Sequence, residues 1–122
     1  MVGFCRYCLC GYVSLVWQSR YSFFKEQNIP EVVDLNVLPE FRGQGIGAAL
    51  LSTAEAKASE RAQSVGLGVG LYADYGSAQR LYSKRGYIPD GKGITYNYTY
   101  VKPGSNVCVD DDLILWLVKK LK

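Results

Sequence analysis

The sequence predicts a mixed α/β fold in which one sheet is flanked by helices, and three observations predict it. The candidate elements run strands, helix, strand, helix, strands, which is a mixed layer and not a doubly wound repeat. A Val-rich strand feeds the first helix through a turn crowded with glycine, Arg42-Gly43-Gln44-Gly45-Ile46-Gly47. Gly86 stands in the helix-ending position after the second helix.

Taken in order, Phe4–Leu9 and Tyr12–Trp17 read as a β-hairpin turning near Gly11. Arg20–Asn28 is a polar and aromatic connection ended by Ile29-Pro30, and Val32–Leu38 is a strong strand candidate closed by Pro39. The helix that follows the glycine turn runs to about Gln63, with Leu50, Leu51, Ala54, Ala58 and Ala62 at helical spacing. Val65–Leu71 is a strand with Gly66, Gly68 and Gly70 on one face. Tyr75–Arg85 is a short helix with Ala78, Leu81 and Tyr82 on one side. Strands at Thr95–Val101 and Leu113–Val118 close the chain, and there is no internal repeat or low-complexity tract.

A length of 122 residues that are 48% hydrophobic suits one domain, residues 1–122, with a single core. The net charge of +3 suits an anionic small molecule, and the absence of clustered basic runs argues against nucleic acid. No long apolar span exists, so no membrane partner is expected. Residues 1–17 superficially resemble a signal sequence, but no basic region precedes them, Arg6 interrupts them and no cleavage site follows. A cytoplasmic protein is the expectation. Cys5, Cys8 and Cys10, with Cys108 as a fourth ligand, are the candidate metal site. The competing reading is a strand whose cysteines act as small hydrophobes. With no histidine and no second Cys-x-x-Cys, no metal is expected.

Three glycines in the first turn of an otherwise good helix need a reason, because glycine there costs about 1 kcal/mol relative to alanine. Strand, glycine turn and helix N-terminus together suit an anion: the first helical amides lack partners and the dipole favours negative charge. Glycine lets the backbone approach phosphate closely, and Arg42 adds a charge able to hold its oxygens. A P-loop is excluded because no Gly-Lys-Ser/Thr closes the turn, and the dinucleotide pattern fits poorly.

Arg42-x-x-Gly45-x-Gly47 after a Val-rich strand resembles the acetyl-CoA signature of the GNAT superfamily of N-acyltransferases. Ala78-Gln-Arg-Leu81-Tyr82-Ser-Lys-Arg-Gly86-Tyr87 resembles that family's A-x-x-L-Y-x-x-x-G-[FY] segment, one helix and one strand further on. The matched regions cover about Gly11 to Tyr87, and the two motifs in order are far more specific than either alone.

The resemblance implies a GNAT-like mixed sheet with flanking helices that binds acetyl-CoA and acetylates a primary amine, small molecule or peptide, by direct transfer. It assigns the CoA pyrophosphate to the amides of Gly43, Gln44, Gly45, Ile46, Gly47 and Ala48, and the pantetheine arm to the backbone of Leu35, Asn36 and Val37. A V-shaped slot is expected between Val32–Leu38 and Val65–Leu71, where the family's strands splay. Tyr82 matches the tyrosine that often protonates the departing thiolate; the alternative is a packed core tyrosine. Glu31 matches the position of a catalytic glutamate in several members, with Asp34 its competitor as base and an exposed strand-end charge the alternative role for Glu31.

Two positions depart from the family pattern. Tyr75 stands where the family often has a CoA-binding asparagine, and the usual first strand and two helices have no counterpart, which reads as N-terminal shortening. A sheet edge and apolar residues left bare by that shortening (Phe4, Tyr7, Tyr12, Trp17, Phe23, Phe24) and an amphipathic stripe of Tyr96, Tyr98 and Tyr100 suggest a homodimer. Residues 19–30 folding back over the edge is the competing outcome. A CoA-binding or regulatory module without turnover is the rival to catalysis, and a nucleotide-binding adaptor using the same turn is a third reading.

Overall fold

The computed structural model describes residues 2–5 and 8–122, with residues 2–5 and 8–10, apart from Gly3, described by backbone alone. Ten elements follow the expected order: β1 (Val2–Cys5), β2 (Cys8–Val16), α1 (Ser22–Glu26), β3 (Glu31–Val37), α2 (Ile46–Ala58), β4 (Ser64–Gly70), α3 (Gly76–Lys84), β5 (Ile88–Tyr96), β6 (Thr99–Tyr100) and β7 (Leu113–Lys120). The strands form one seven-stranded sheet in the order β1-β2-β3-β4-β7-β5-β6. Among the described strands only β3 and β4 are parallel neighbours, which their crossover through α2 permits.

Four local expectations are corrected. Cys5 of β1 pairs with Cys8 of β2, and Gly11 lies inside β2, paired with Gly3 and Val37. A Cβ on Gly11 would stand 2.4 Å from the Asn36 carbonyl oxygen, so this glycine marks a close backbone approach and not a turn. The Arg20–Asn28 connection contains α1, a five-residue helix without a side-chain cap, held by the burial of Phe24 more than by propensity. The helix expected to reach Gln63 ends at Ala58. The Thr95–Val101 strand is instead a hairpin: Asn97 and Tyr98 turn the chain with φ of 50° and 67°, so Tyr96, Tyr98 and Tyr100 form no continuous stripe.

The sheet carries a core on each face. On one, Leu50, Leu51, Ala54 and Ala58 of α2 and Tyr82 of α3 pack on Val13, Val32, Val65, Leu67 and Val69. On the other, Tyr21 stacks on Trp116 at 4.2 Å and Phe24 meets both rings edge-on. β4 serves both through alternation: Val65, Leu67 and Val69 face α2, while Gly66, Gly68 and Gly70 clear the other face. A Cβ on Gly66 would lie 2.3 Å from the Phe24 ring. Phe24, expected bare, is therefore fully buried, and the segment carrying Tyr21 and Phe24 covers the face of the sheet, not its edge. Trp17 and Phe23 are half-buried and Tyr12 is exposed, while Phe4 and Tyr7 lie outside the described side chains.

Candidate acetyl-CoA and amine site

The glycine turn separates into two functions. Gly43 and Gly45 adopt φ of 80° and 78°, and a Cβ on either would meet nothing within 4 Å. Backbone conformation, not crowding, demands glycine at both. Gly47 is helical, and its missing Cβ admits Leu81 of α3, which would stand 3.3 Å away, so this third glycine serves helix packing. No side chain caps α2, and among the described residues no acceptor takes the amides of Gly43 through Ala48. The turn is thus an open row of donors at the positive end of a helix dipole, which fits a pyrophosphate. Arg42 is exposed and donates its Nε to the Val37 carbonyl at 3.2 Å, which ties the turn to the end of β3.

A slot opens beside this turn. β3 registers with β4 at one pair, Glu31 with Gly66, and the Gly66 amide donates to Pro30 at 3.0 Å. Beyond that pair no ladder joins the two strands among the described residues, so Leu35, Asn36 and Val37 lie on a strand that has left its neighbour. A bulge accompanies the divergence: Tyr12 pairs with Asn36 and Ser14 with Val33, so Val13 alone opposes Asp34 and Leu35. Asp34 takes the bulge conformation with φ of 55° and is exposed.

The two candidate catalytic groups lie on opposite faces. Tyr82 is buried in the core beneath α2, with its ring 5.9 Å from Tyr87, and no group among the described residues hydrogen-bonds its hydroxyl. Burial pushes its phenol up from 10, keeping the proton in place at neutral pH. Glu31 precedes Val32 and points to the other face, where it is 9% exposed and accepts a 2.6 Å hydrogen bond from Ser19 Oγ. Burial raises the Glu31 carboxyl, the Ser19 bond lowers it and the nearby Asp34 charge raises it further; the net direction is up from 4.5.

Sequence reasoning missed two networks. Glu55 of α2 is buried and accepts from Arg85 at 2.9 Å, Lys119 at 3.1 Å and the Tyr87 hydroxyl at 2.9 Å. No local pattern in the sequence marks Glu55; the signal is Tyr87, whose hydroxyl needs an acceptor once buried. Tyr75, at the position of the missing asparagine, fills the space over Gly70 and donates to Asp111, as does Tyr72. The Cys5, Cys8 and Cys10 side chains lie outside those described, and Cys108 is exposed. Among the described residues no group of three or more His, Cys, Asp or Glu is placed to hold a metal ion, and no helix is long and apolar enough to cross a membrane.

The profile of the acetyltransferase (GNAT) domain matches residues 2–89, well over half of the chain. The chain belongs to the GNAT family. An uncharacterised N-acetyltransferase of Archaeoglobus fulgidus is 47% identical over 45 residues, which is 37% of this chain and 31% of that protein. A Pyrococcus horikoshii protein superposes with a TM-score of 0.70 at 18% identity, over 98% of this chain and 62% of that one. A Salmonella typhimurium protein, solved with its cofactor acetyl-CoA, superposes with a TM-score of 0.68 at 20% identity, over 99% and 63%. These structural likenesses bear on the fold, and this GNAT domain spans less than two thirds of the length of each of these relatives.

Proposed function

We propose that this GNAT domain transfers the acetyl group of acetyl-CoA to a primary amine by direct attack. One observation carries the reading: an uncapped glycine turn with two left-handed glycines stands at the end of a strand that has left its neighbour. Backbone amides of Gly43 through Ala48 and the Arg42 guanidinium would hold the pyrophosphate, and the free backbone edge of Leu35–Val37 would hold the pantetheine arm. When bound, acetyl-CoA supplies an activated thioester, whose C–S bond breaks as the amine nitrogen forms the new C–N bond. Glu31, buried and facing the opposite side of the sheet, takes the proton that the ammonium must lose, with Asp34 the competing base. Tyr82 gives its proton to the departing sulfur, a role that its unbonded hydroxyl leaves open to it. A general acid of this kind contributes about 10²–10⁴-fold.

The test is a melting curve with acetyl-CoA followed by thiol release across an amine panel. Acetyl-CoA raises Tm by mass action if it binds the folded state. Tyr82→Phe should lower kcat by about 10²-fold or more while keeping that shift. No shift removes the site from this account, a shift without thiol release leaves a CoA-binding module, and full activity in Tyr82→Phe makes Tyr82 a packing residue.

A further inference from the structure

On the face of the sheet that carries α1, a groove of about 600 Å³ lies beside the end of β7. That volume falls within the roughly 300–1,000 Å³ of binding pockets. Ile88 and Val118, paired across β5 and β7, line it together with Phe23, Ile29 and Pro89. Its charged lining is Asp90, Lys119 and Lys120, and Lys92 lies over the Phe23 ring at 5.0 Å. Asp90 is engaged within the chain by the Tyr21 hydroxyl and the Lys92 amide, and Lys119 by Glu55. Lys92 and Lys120 form no ion pair among the described residues, so the groove is apolar with a basic rim.

A surface of matching chemistry stands at the other end of β7. Residues 101–112 join β6 to β7 without helix or strand, and a connection of about 12 residues with no structure of its own is uncommon unless it has a role. Its far end is anchored: Asp110 accepts from the Tyr96 hydroxyl at 2.8 Å, and Asp111 accepts from Tyr72 and Tyr75. Asp111 and Asp112 also line a small cleft with Glu31, Gly68 and Trp116, which puts this end of the loop on the same face as the groove. Ahead of the anchor, Val107 and Val109 are exposed at the spacing that puts two side chains on one side of an extended chain. No backbone acceptor takes the amides of Asn106 through Asp110 among the described residues. Residues 103–112 hold three aspartates and no basic residue. Val109 on the loop and Ile88 in the groove, each 65% exposed, are the barest large apolar side chains among the described residues.

We infer that the chain pairs with a second copy of itself, with Val107 and Val109 of one copy seated in the groove of the other and the acidic end of the loop against Lys92 and Lys120. The eight residues of β7 separate loop from groove by about 26 Å, and the anchor at Asp110 and Asp111 keeps the loop from its own groove. Two copies set with their β7 strands antiparallel bring each loop to the other's groove. The exchange is then reciprocal and closes about one two-fold axis. Valine against Ile88 and Val118 removes apolar surface from water on both partners, and the opposite charges set the register.

The experiment is size exclusion with light scattering across a dilution series, on the natural protein, on Val109→Lys, on Ile88→Glu and on the two variants mixed. Both positions are exposed, so melting curves should show all three proteins folded. The natural protein should be a dimer at the top of the series. Each variant should weaken that dimer by about tenfold or more, because each change strikes both contacts of a symmetric pair. In the mixture one contact is intact and the other brings opposite charges together, so a heterodimer should form at concentrations where neither variant pairs alone. A natural protein that is monomeric at every concentration overturns the inference. So does a dimer that both variants leave intact, since it would use another surface, and so does a mixture that fails to restore pairing. Mass growing beyond two copies overturns the reciprocal exchange.

Discussion

Replacing Glu55 with alanine tests whether one buried carboxylate ties together the helix bearing the glycine turn and the helix bearing Tyr82. Glu55 lies 8% exposed on α2 and accepts from three donors: Arg85 at the end of α3, Lys119 of β7 and the Tyr87 hydroxyl. Removing one partner of a fully buried ion pair costs about 3–5 kcal/mol, because the other charge is stranded. Here Arg85 and Lys119 keep 29% and 23% of their side chains exposed, so both can turn to water and avoid most of that penalty. What remains is the loss of hydrogen bonds to a charged group, about 1.5–3 kcal/mol, and a buried Tyr87 hydroxyl without an acceptor. The expected loss is therefore about 2–3 kcal/mol, read as a fall in the urea midpoint with unchanged m. At this chain length it corresponds to a Tm lower by about 6–12 °C. Glu55→Gln, which still accepts from Tyr87, should fall between the two proteins, and Glu55→Ala with Tyr87→Phe should be less than additive by at least about 0.5 kcal/mol. A loss below about 0.5 kcal/mol, or strict additivity with Tyr87→Phe, would mean that the network is an ordinary surface ion pair and refute the reasoning.

Three further outcomes follow from the same geometry. Glu31→Gln should be neutral or stabilising at pH 7 while lowering activity. The folded carboxyl has its pKa raised above 4.5, so the folded state holds its proton to higher pH than the unfolded chain and the natural protein loses stability as pH rises through that window; urea midpoints at pH 4 and pH 7 read the difference, and equal effects at both sink the argument. Gly45→Ala meets no clash but must hold a left-handed conformation, which costs about 1–2 kcal/mol, and it should reduce the acetyl-CoA melting shift; an unchanged shift removes the turn from the site. Gly66→Ala drives a Cβ to 2.3 Å from the buried Phe24 ring and should cost about 1–3 kcal/mol by overpacking, with much of that loss recovered by Phe24→Leu; a stable single variant would show that α1 is free to shift.

The parts legible in the sequence are those set by local chemistry. The glycine turn, the helices α2 and α3 and the order of strands follow from backbone requirements and side-chain period, which short windows carry. Gly11 was misread because a glycine demanded by a neighbouring strand looks the same in sequence as one demanded by a turn; only the approach of the Asn36 carbonyl distinguishes them. The helix at Ser22–Glu26 has too few residues to show a period and owes its existence to the Gly66 and Trp116 surface on which Phe24 lands. The Glu55 network and the Asp111 anchor join residues 30 to 64 positions apart, and nothing in a local pattern announces such partners. Tyr75 shows the limit of motif transfer: a position matched to a ligand-binding asparagine is filled by a ring that packs on Gly70 and holds Asp111.

The alternation of β4 links the proposed chemistry to the fold. In Ser64-Val65-Gly66-Leu67-Gly68-Val69-Gly70 every second residue is large and apolar, and these build the core against which α2 and α3 fix the glycine turn and Tyr82. Gly66, Gly68 and Gly70 between and after them have no side chains, so on the opposite face rings supplied from elsewhere, Phe24, Trp116 and Tyr75, lie against the backbone. At Gly68 the neighbouring groups, Ile114 and Trp116, belong to β7 and stand beside the strand, which leaves the cleft beneath Glu31. A side chain at Gly68 would fall into that cleft, 2.6 Å from Ile114, without touching the side of the sheet that carries Tyr82. The acetyl donor and the amine would then reach the parting of β3 and β4 from opposite faces, each through a surface that the other substrate does not cross. On the proposed reading such a division would let the amine side change while the glycine turn stays as it is, because the core residues under α2 and the glycines of the other face alternate along β4.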